Sequence, residues 1–192
     1  LNDLNNDRIF EKNKNSALLK VKEEIQKNNS LVKSSYDSLN KYFLPMKFLL
    51  ENSSTENGLV LDTEQMNNFQ KNYPFVFKIT DSTLITKTNY RYNGEVFFEL
   101  NAILSFQLSS IAWDTFKETE LLSIIDFNCI YNIEVLYKLQ NQLNGEFDNL
   151  LKSFNVEDNK SIIFSNWKSI LSNQKILLEM YKSSNYVLNE CK

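Results

Sequence analysis

The chain has 192 residues, a length typical of one domain, and 42% of them are hydrophobic, which is enough for a packed core. Its net charge is −3, and Arg8 and Arg91 are its only arginines, so we expect no nucleic-acid-binding surface. It contains no histidine and only three, isolated glycines. These absences exclude His-dependent catalysis, His-ligated zinc and a glycine-rich phosphate loop.

The first quarter of the chain predicts one long amphipathic helix, from about residue 3 to residue 44. At 1.5 Å per residue it would be roughly 60 Å long, and Pro45 should kink or restart it. Asn28 and Ser35 take two polar places on its apolar stripe. The apolar members of the stripe recur at spacings of three and four residues: Leu18, Val21, Ile25, Val32, Leu39 and Tyr42. Self-association along Leu18 to Phe43 is a natural corollary.

The next segment predicts a loop and then a short helix. Residues 52–58 have the composition of a loop. Asp62, followed three residues later by Gln65, predicts a capping box. The helix that it starts, from Thr63 to Asn72, should end before Pro74.

Residues 75–100 predict a small β-containing insert, because β-branched and aromatic residues predominate there. The Asn93-Gly94 pair between two such runs is typical of a β-hairpin turn. The alternative is a helix from Val96 to Leu108, because the large apolar residues of that stretch also fit a helical period.

The last third of the chain predicts a short helix over residues 111–118, capped by Ser109 or Ser110, and then two longer helices, the first capped by Asp126. Both long segments follow alternating spacings of three and four residues along a mostly apolar stripe: Ile133, Leu136, Gln140, Leu143, Phe147, Leu150 and Phe154, then Ile163, Trp167, Ile170, Gln174, Leu177, Tyr181, Ser184 and Leu188. They therefore predict an antiparallel helical hairpin.

Gln140 and Gln174 interrupt the apolar seam of this hairpin at neighbouring levels. Either both amides lie at the edge of the seam and reach solvent, or they form a buried pair that fixes the register of the two helices.

The patterns together predict a single, mainly α domain over residues 1–192. A long N-terminal helix packs with a C-terminal antiparallel helical hairpin, and a small β-containing insert lies near residues 75–100. Trp113, Trp167 and Tyr181 are interpreted as packing residues, with ligand stacking by Trp113 as the alternative.

The two cysteines form no CxxC motif. Cys129 falls in an apolar helical stretch, which predicts a small buried residue. Cys191 is expected to be exposed at a frayed helix end. A disulfide between them is the alternative, in an oxidising compartment.

Acidic residues are numerous, but none forms a convincing catalytic or metal-binding cluster. Glu23 and Glu24 are neighbours that do not face each other on a helix, so they are interpreted as a solvated face. Glu118 and Glu120 lack the spacing of a calcium-binding loop. We expect no catalytic residue, no metal and no cofactor, and no ligand-binding residue can be named.

One stretch resembles a known family. Residues 110–119 (SIAWDTFKET), with LL at 121–122 and IDF at 125–127, are similar to the "AW-[DE]-T…T-G-x-L…D-[YF]" core of a family of Bacteroidetes, especially flavobacterial, proteins. YKLQ at 137–140 matches the family's Tyr-x-x-Gln. Residues 4–25 resemble the segment that follows a single N-terminal transmembrane helix in those proteins. Glu120 stands where a glycine is usual, and no tryptophan follows Asn5-Asn6.

The family has no assigned activity, and the resemblance implies an inner-membrane anchor with this domain facing the periplasm. The chain begins at Leu1, so we expect an upstream segment, either such an anchor or a cleaved secretory signal. The sequence therefore favours a non-enzymatic, membrane-anchored interaction or scaffolding domain of the cell envelope. Its partner would be another envelope protein or a second copy of this chain. The alternative is an extracytoplasmic sensor domain that binds a small ligand.

Overall fold

The computed structural model describes residues 2–54, 58–98, 104–154 and 160–191, except for the side chains of residues 2–7 and 185–190. Over these residues five α-helices accompany one four-stranded antiparallel sheet, and a 3-10 helix (Glu120–Ile124) precedes α4. The elements are, in chain order, α1 (Asn2–Asn52), β1 (Ser53–Ser54), β2 (Gly58–Asp62), α2 (Thr63–Asn72), β3 (Phe77–Leu84), β4 (Asn89–Val96), α3 (Ile111–Lys117), α4 (Phe127–Ser153) and α5 (Lys160–Glu190).

The core is a bundle of α1, α4 and α5, which confirms the mainly α fold and the packing of a long first helix on a C-terminal hairpin. The predicted α1 stripe from Leu18 to Tyr42 is buried in this bundle. That stripe therefore packs against the chain's own helices and is not available to a second copy. The helix itself continues through Pro45 to Asn52 without restarting.

Contacts between the three helices fix their directions. Phe43 packs edge-on against Trp167, whereas Ser35, eight residues earlier in α1, bonds to Gln174, seven residues later in α5. α5 is therefore antiparallel to α1. Tyr137, near the middle of α4, bonds to the first half of α1, and α4 runs parallel to it.

The insert is larger than predicted. The sheet has the strand order β1-β2-β4-β3, so it includes Ser53–Ser54, within the loop expected over residues 52–58, and Gly58–Asp62, which begins at the end of that loop. Residues 55–57 of that expected loop lie outside the described residues. α2 has the predicted limits and the predicted capping box: Asp62 Oδ1 accepts from Gln65 N at 2.7 Å, and Asp62 N donates to Gln65 Oε1 at 3.1 Å.

The hairpin prediction placed the turn wrongly. β3 and β4 are joined at residues 85–88, where Ile85 N donates to Asn89 O at 2.9 Å. Gly94 lies inside β4, opposite Ile79 and beside a register shift. A Cβ at position 94 would collide with the Lys78 carbonyl and the Phe77 ring, so this glycine permits a close approach between strands and does not form a turn.

The alternative helix over Val96–Leu108 is wrong at both of its ends, although Leu104 is helical. Val96 ends β4, and residues 106–110 form no helix. Residues 99–103 lie outside the described part of the chain.

A disulfide joins Cys129, in the first turn of α4, to Cys191, just beyond α5, with 5.7 Å between their Cα atoms. Cys129 is buried as predicted. The expectation of an exposed thiol at Cys191 is wrong, because only 5% of this residue is exposed. The bond covalently closes the helical hairpin at the end opposite its connecting segment.

Candidate functional site

Buried polar side chains connect the helices of the bundle in two layers. Asn28 Nδ2 donates to Gln140 Oε1 at 2.9 Å, and Gln174 Nε2 donates to Ser35 Oγ at 2.9 Å. Both glutamines are at most 1% exposed, so the interpretation that their amides reach solvent is wrong. The two glutamines are buried but do not bond to each other; each amide bonds to a polar residue of the α1 stripe, which ties the hairpin to α1.

Glu24 on α1 lies at the centre of a second cluster. Its Oε2 accepts from Ser109 Oγ at 2.6 Å and from Ala112 N at 3.0 Å, and its Oε1 accepts from the Tyr137 hydroxyl at 2.7 Å. The interpretation of Glu24 as part of a solvated face is therefore wrong, although its neighbour Glu23 is exposed. A step of one residue turns a helix by about 100°, and this turn directs Glu24 towards α3.

Glu24 caps α3 from α1. Of the two serines predicted as the cap, Ser110 pairs with Asp114 at 2.6 Å and makes no bond to a backbone amide of α3, whereas Ser109 Oγ accepts from Ile111 N at 3.4 Å. The free Ala112 N–H instead donates to Glu24, a negative charge at a helix N-terminus, where such charges are favourable. Because the cap comes from α1, it fixes α3 against that helix.

Two asparagines fix the strand-like segment before α3. Asn144 accepts from Leu108 N at 2.9 Å and donates to Leu108 O at 3.1 Å. Asn28 accepts from Ser109 N at 3.1 Å and donates to Ser109 O at 2.8 Å. Each amide thus satisfies both backbone groups of one residue, as a neighbouring β-strand would.

Trp113 is a packing residue, as the sequence predicts. It is fully buried, and its ring lies parallel to that of Tyr137, with 5.9 Å between the centroids. Its Nε1 donates to Glu134 at 3.1 Å. The alternative of ligand stacking fails, because no face of the indole is accessible.

A groove of about 760 Å³ lies between α1 and α3, beside the Glu24 cluster, and is open to solvent on one side. Ala17, Ala112 and Phe116 are apolar members of its lining, and Ile111, 76% exposed, lies at its edge. The remaining lining residues are Asn13, Ser16, Lys20, Glu23, Glu24, Lys27, Ser109, Thr115 and Thr119. Most of the groove wall is apolar, with charges along the α1 side.

The chemistry available beside the groove is limited. Burial, followed by the hydrogen bond to Glu24, raises the pKa of Tyr137, and burial, followed by the charge of Glu24, raises the pKa of Tyr181. Both phenols therefore stay protonated near neutral pH and are not general bases. In the described part of the chain, no group of three or more His, Cys, Asp or Glu side chains could hold a metal ion.

The residues quoted for the family resemblance come together in space. Ala112 bonds to Glu24, Trp113 packs on Tyr137, and Gln140 bonds to Asn28. Thr115 and Thr119 line the groove. Sequence reasoning missed Glu24 and Asn144 because their partners are distant in the chain, although Asn28 was marked by its place on an apolar stripe.

Comparisons with known proteins add no relative. No protein-family model, curated protein or solved structure matches the chain significantly. Among the described residues, no helix is long and apolar enough to cross a membrane.

Proposed function

We propose that this chain is a non-enzymatic, membrane-anchored extracytoplasmic domain of the cell envelope that binds a protein partner in the groove between α1 and α3. One observation carries the proposal: the Glu24 carboxylate caps α3 from α1, so the groove between the two helices is preformed. A preformed surface loses little conformational entropy on binding.

The form of the groove favours a polypeptide over a small molecule. Small-molecule sites usually enclose most of their ligand, whereas this groove is open on one side. Grooves between helices with an apolar floor and a charged rim commonly receive an amphipathic helix.

Two observations support an extracytoplasmic location. The Cys129–Cys191 disulfide is typical of proteins from oxidising compartments. The resemblance of residues 110–127 to the Bacteroidetes family implies an inner-membrane anchor and a periplasmic domain.

Photo-crosslinking in the cells that make this protein tests the groove. A benzophenone side chain at position 111, where 76% of the native residue is exposed, should give one discrete protein adduct. The same group at position 176, an exposed site on α5, is the control and should not give that adduct. Ala17→Trp, which fills the groove, should abolish the adduct. An adduct that survives Ala17→Trp, or no adduct at position 111, would contradict the proposal.

Protease treatment of intact and permeabilised cells tests the location. The domain should remain with the membrane fraction and become cleavable once the outer membrane is opened. Recovery in the soluble cytoplasmic fraction, with both thiols reduced, would contradict it.

The second candidate function is a sensor domain for a small ligand. A volume of about 760 Å³ lies within the roughly 300–1,000 Å³ of small-molecule sites, which favours it. Native mass spectrometry of the protein purified from its own cells distinguishes the two. A bound small molecule that Ala17→Trp removes would support the sensor and count against the partner groove.

A further inference from the structure

Four charged side chains line the α1 side of the groove, and one of them, Glu24, is held by its hydrogen bonds to Ser109, Ala112 and Tyr137. The other three are Lys20, Glu23 and Lys27, and none of these makes an ion pair or hydrogen bond within the described residues. The two lysines are seven residues, or two helical turns, apart, which is about 10 Å along the axis. Apart from the hydrogen-bonded Glu24, the charges along the rim are positive, negative and positive in chain order, on a protein whose net charge is −3.

The groove has the length and the lining for a helix. Its α1 wall extends from Asn13 to Lys27, about 21 Å at 1.5 Å per residue, which matches four turns of an α-helix. Ala17 and Ala112 leave room between α1 and α3 for large apolar side chains, and the exposed Ile111 offers one apolar contact from the edge.

We infer that the groove binds an amphipathic α-helix of a protein partner, with apolar residues towards Ala17 and Ala112 and acidic residues seven positions apart that pair with Lys20 and Lys27. This inference rests on the proposed function, because it names the occupant of the same groove. Unpaired lysines on the rim favour carboxylates on the occupant, and Glu23 between them favours a basic or neutral residue midway.

Selection of peptides on the full chain tests the inference. A displayed library of random 16-residue peptides, selected on the wild-type protein, should yield amphipathic sequences with Asp or Glu seven residues apart. Synthetic copies should bind in fluorescence anisotropy, and the affinity should fall when NaCl is raised from 0.05 to 0.5 M, because the rim charges are exposed to solvent. Basic or uncharged winners would overturn the inference.

Charge reversal supplies the decisive comparison. Lys20→Glu/Lys27→Glu should weaken binding of the selected peptides about 10-fold or more, and peptides with Lys in place of the two acidic residues should recover the affinity. The matched control is Lys33→Glu/Lys168→Glu, which changes the net charge equally at exposed positions outside the groove and should leave the affinity unchanged.

The inference and the proposed function fail in different ways. If Ile111→Asp and Ala17→Trp abolish binding but the Lys20/Lys27 reversal does not, the groove is the interaction surface and the acidic occupant is wrong. If none of these variants affects binding, or no peptide is enriched, both are wrong. Circular dichroism should show that the Ile111→Asp protein is folded, since position 111 is exposed.

Discussion

The Tyr137 hydroxyl donates to the Glu24 carboxylate at 2.7 Å, across 113 residues of sequence. This bond joins the middle of α4 to α1, and the second oxygen of the same carboxylate caps α3. One acidic side chain thereby links three helices. Because the groove wall is built from two of them, the shape of the groove depends on this carboxylate.

Replacing Glu24 should destabilise the fold, because Ser109, Ala112 and Tyr137 all donate hydrogen bonds to its carboxylate. Glu24→Ala should lower the free energy of unfolding by about 2–3 kcal/mol, since the bonds are charge-assisted but the site is only half-buried. Glu24→Gln should lose less, because an amide can accept from Ser109 and Ala112 while it donates to Tyr137. Urea denaturation measures both values. Glu23→Ala is the control, and a change above about 0.5 kcal/mol there would contradict the assignment.

Substitution of Asn28 or Asn144 should lower the free energy of unfolding more than substitution of the exposed Asn141. Asn28→Ala removes three hydrogen bonds and should cost about 3 kcal/mol. Asn144→Ala removes two and should cost about 1–2 kcal/mol. Hydrogen exchange gives a specific readout, because the Ser109 amide should lose protection in the first variant and the Leu108 amide in the second. Asn141→Ala, at an exposed position, should change neither amide.

Much of the fold follows from local patterns. The 3.6-residue period of apolar residues predicts α1, α4 and α5, the Asp62–Gln65 capping box predicts the start of α2, and Pro74 predicts its end. The Asn93-Gly94 pair gave a wrong turn position, because the sequence does not distinguish a glycine in a turn from one that permits a close approach between strands.

Most of the candidate site could not be predicted from such local patterns. Glu24 bonds to residues 85, 88 and 113 positions away, and no spacing in the sequence relates them. Asparagine is so abundant in this chain that Asn144 could not be distinguished from its neighbours. Asn28, Ser35, Gln140 and Gln174 carried a signal as polar interruptions of apolar stripes, and all four prove to be hydrogen-bonded in the core.

Reduction of the disulfide should lower the thermal stability. Cys129 and Cys191 are 62 residues apart, and closing a loop of that size is worth about 4 kcal/mol in the chain-entropy model. For a protein of this length, the midpoint should fall by about 8–16 °C. Calorimetry with and without reductant measures the shift. The Cys129→Ala/Cys191→Ala variant should have the same unfolding midpoint as the reduced protein, and reductant should not change it. A change of that midpoint with reductant would show that the shift has another source.

Alkaline pH should destabilise the protein through two buried tyrosines. Burial, with the hydrogen bond to Glu24, raises the pKa of Tyr137 above its ordinary 10.0, and burial also raises that of Tyr181. Above pH 10 the unfolded chain releases protons that the folded chain keeps, so stability is complete below pH 10 and is lost as the pH rises beyond it. The slope should reach about 1.4 kcal/mol per pH unit for each tyrosine.

Two phenylalanine variants separate burial from hydrogen bonding in this pH response. Tyr181→Phe should be neutral or slightly stabilising at pH 7, because its buried hydroxyl has no hydrogen-bond partner among the described residues. Tyr137→Phe should cost about 1–3 kcal/mol at pH 7, because it leaves Glu24 without one donor. Each variant should halve the loss of stability between pH 10 and pH 11 in urea denaturation. If both keep the full wild-type loss, other groups cause the alkaline destabilisation, and neither buried phenol contributes to it.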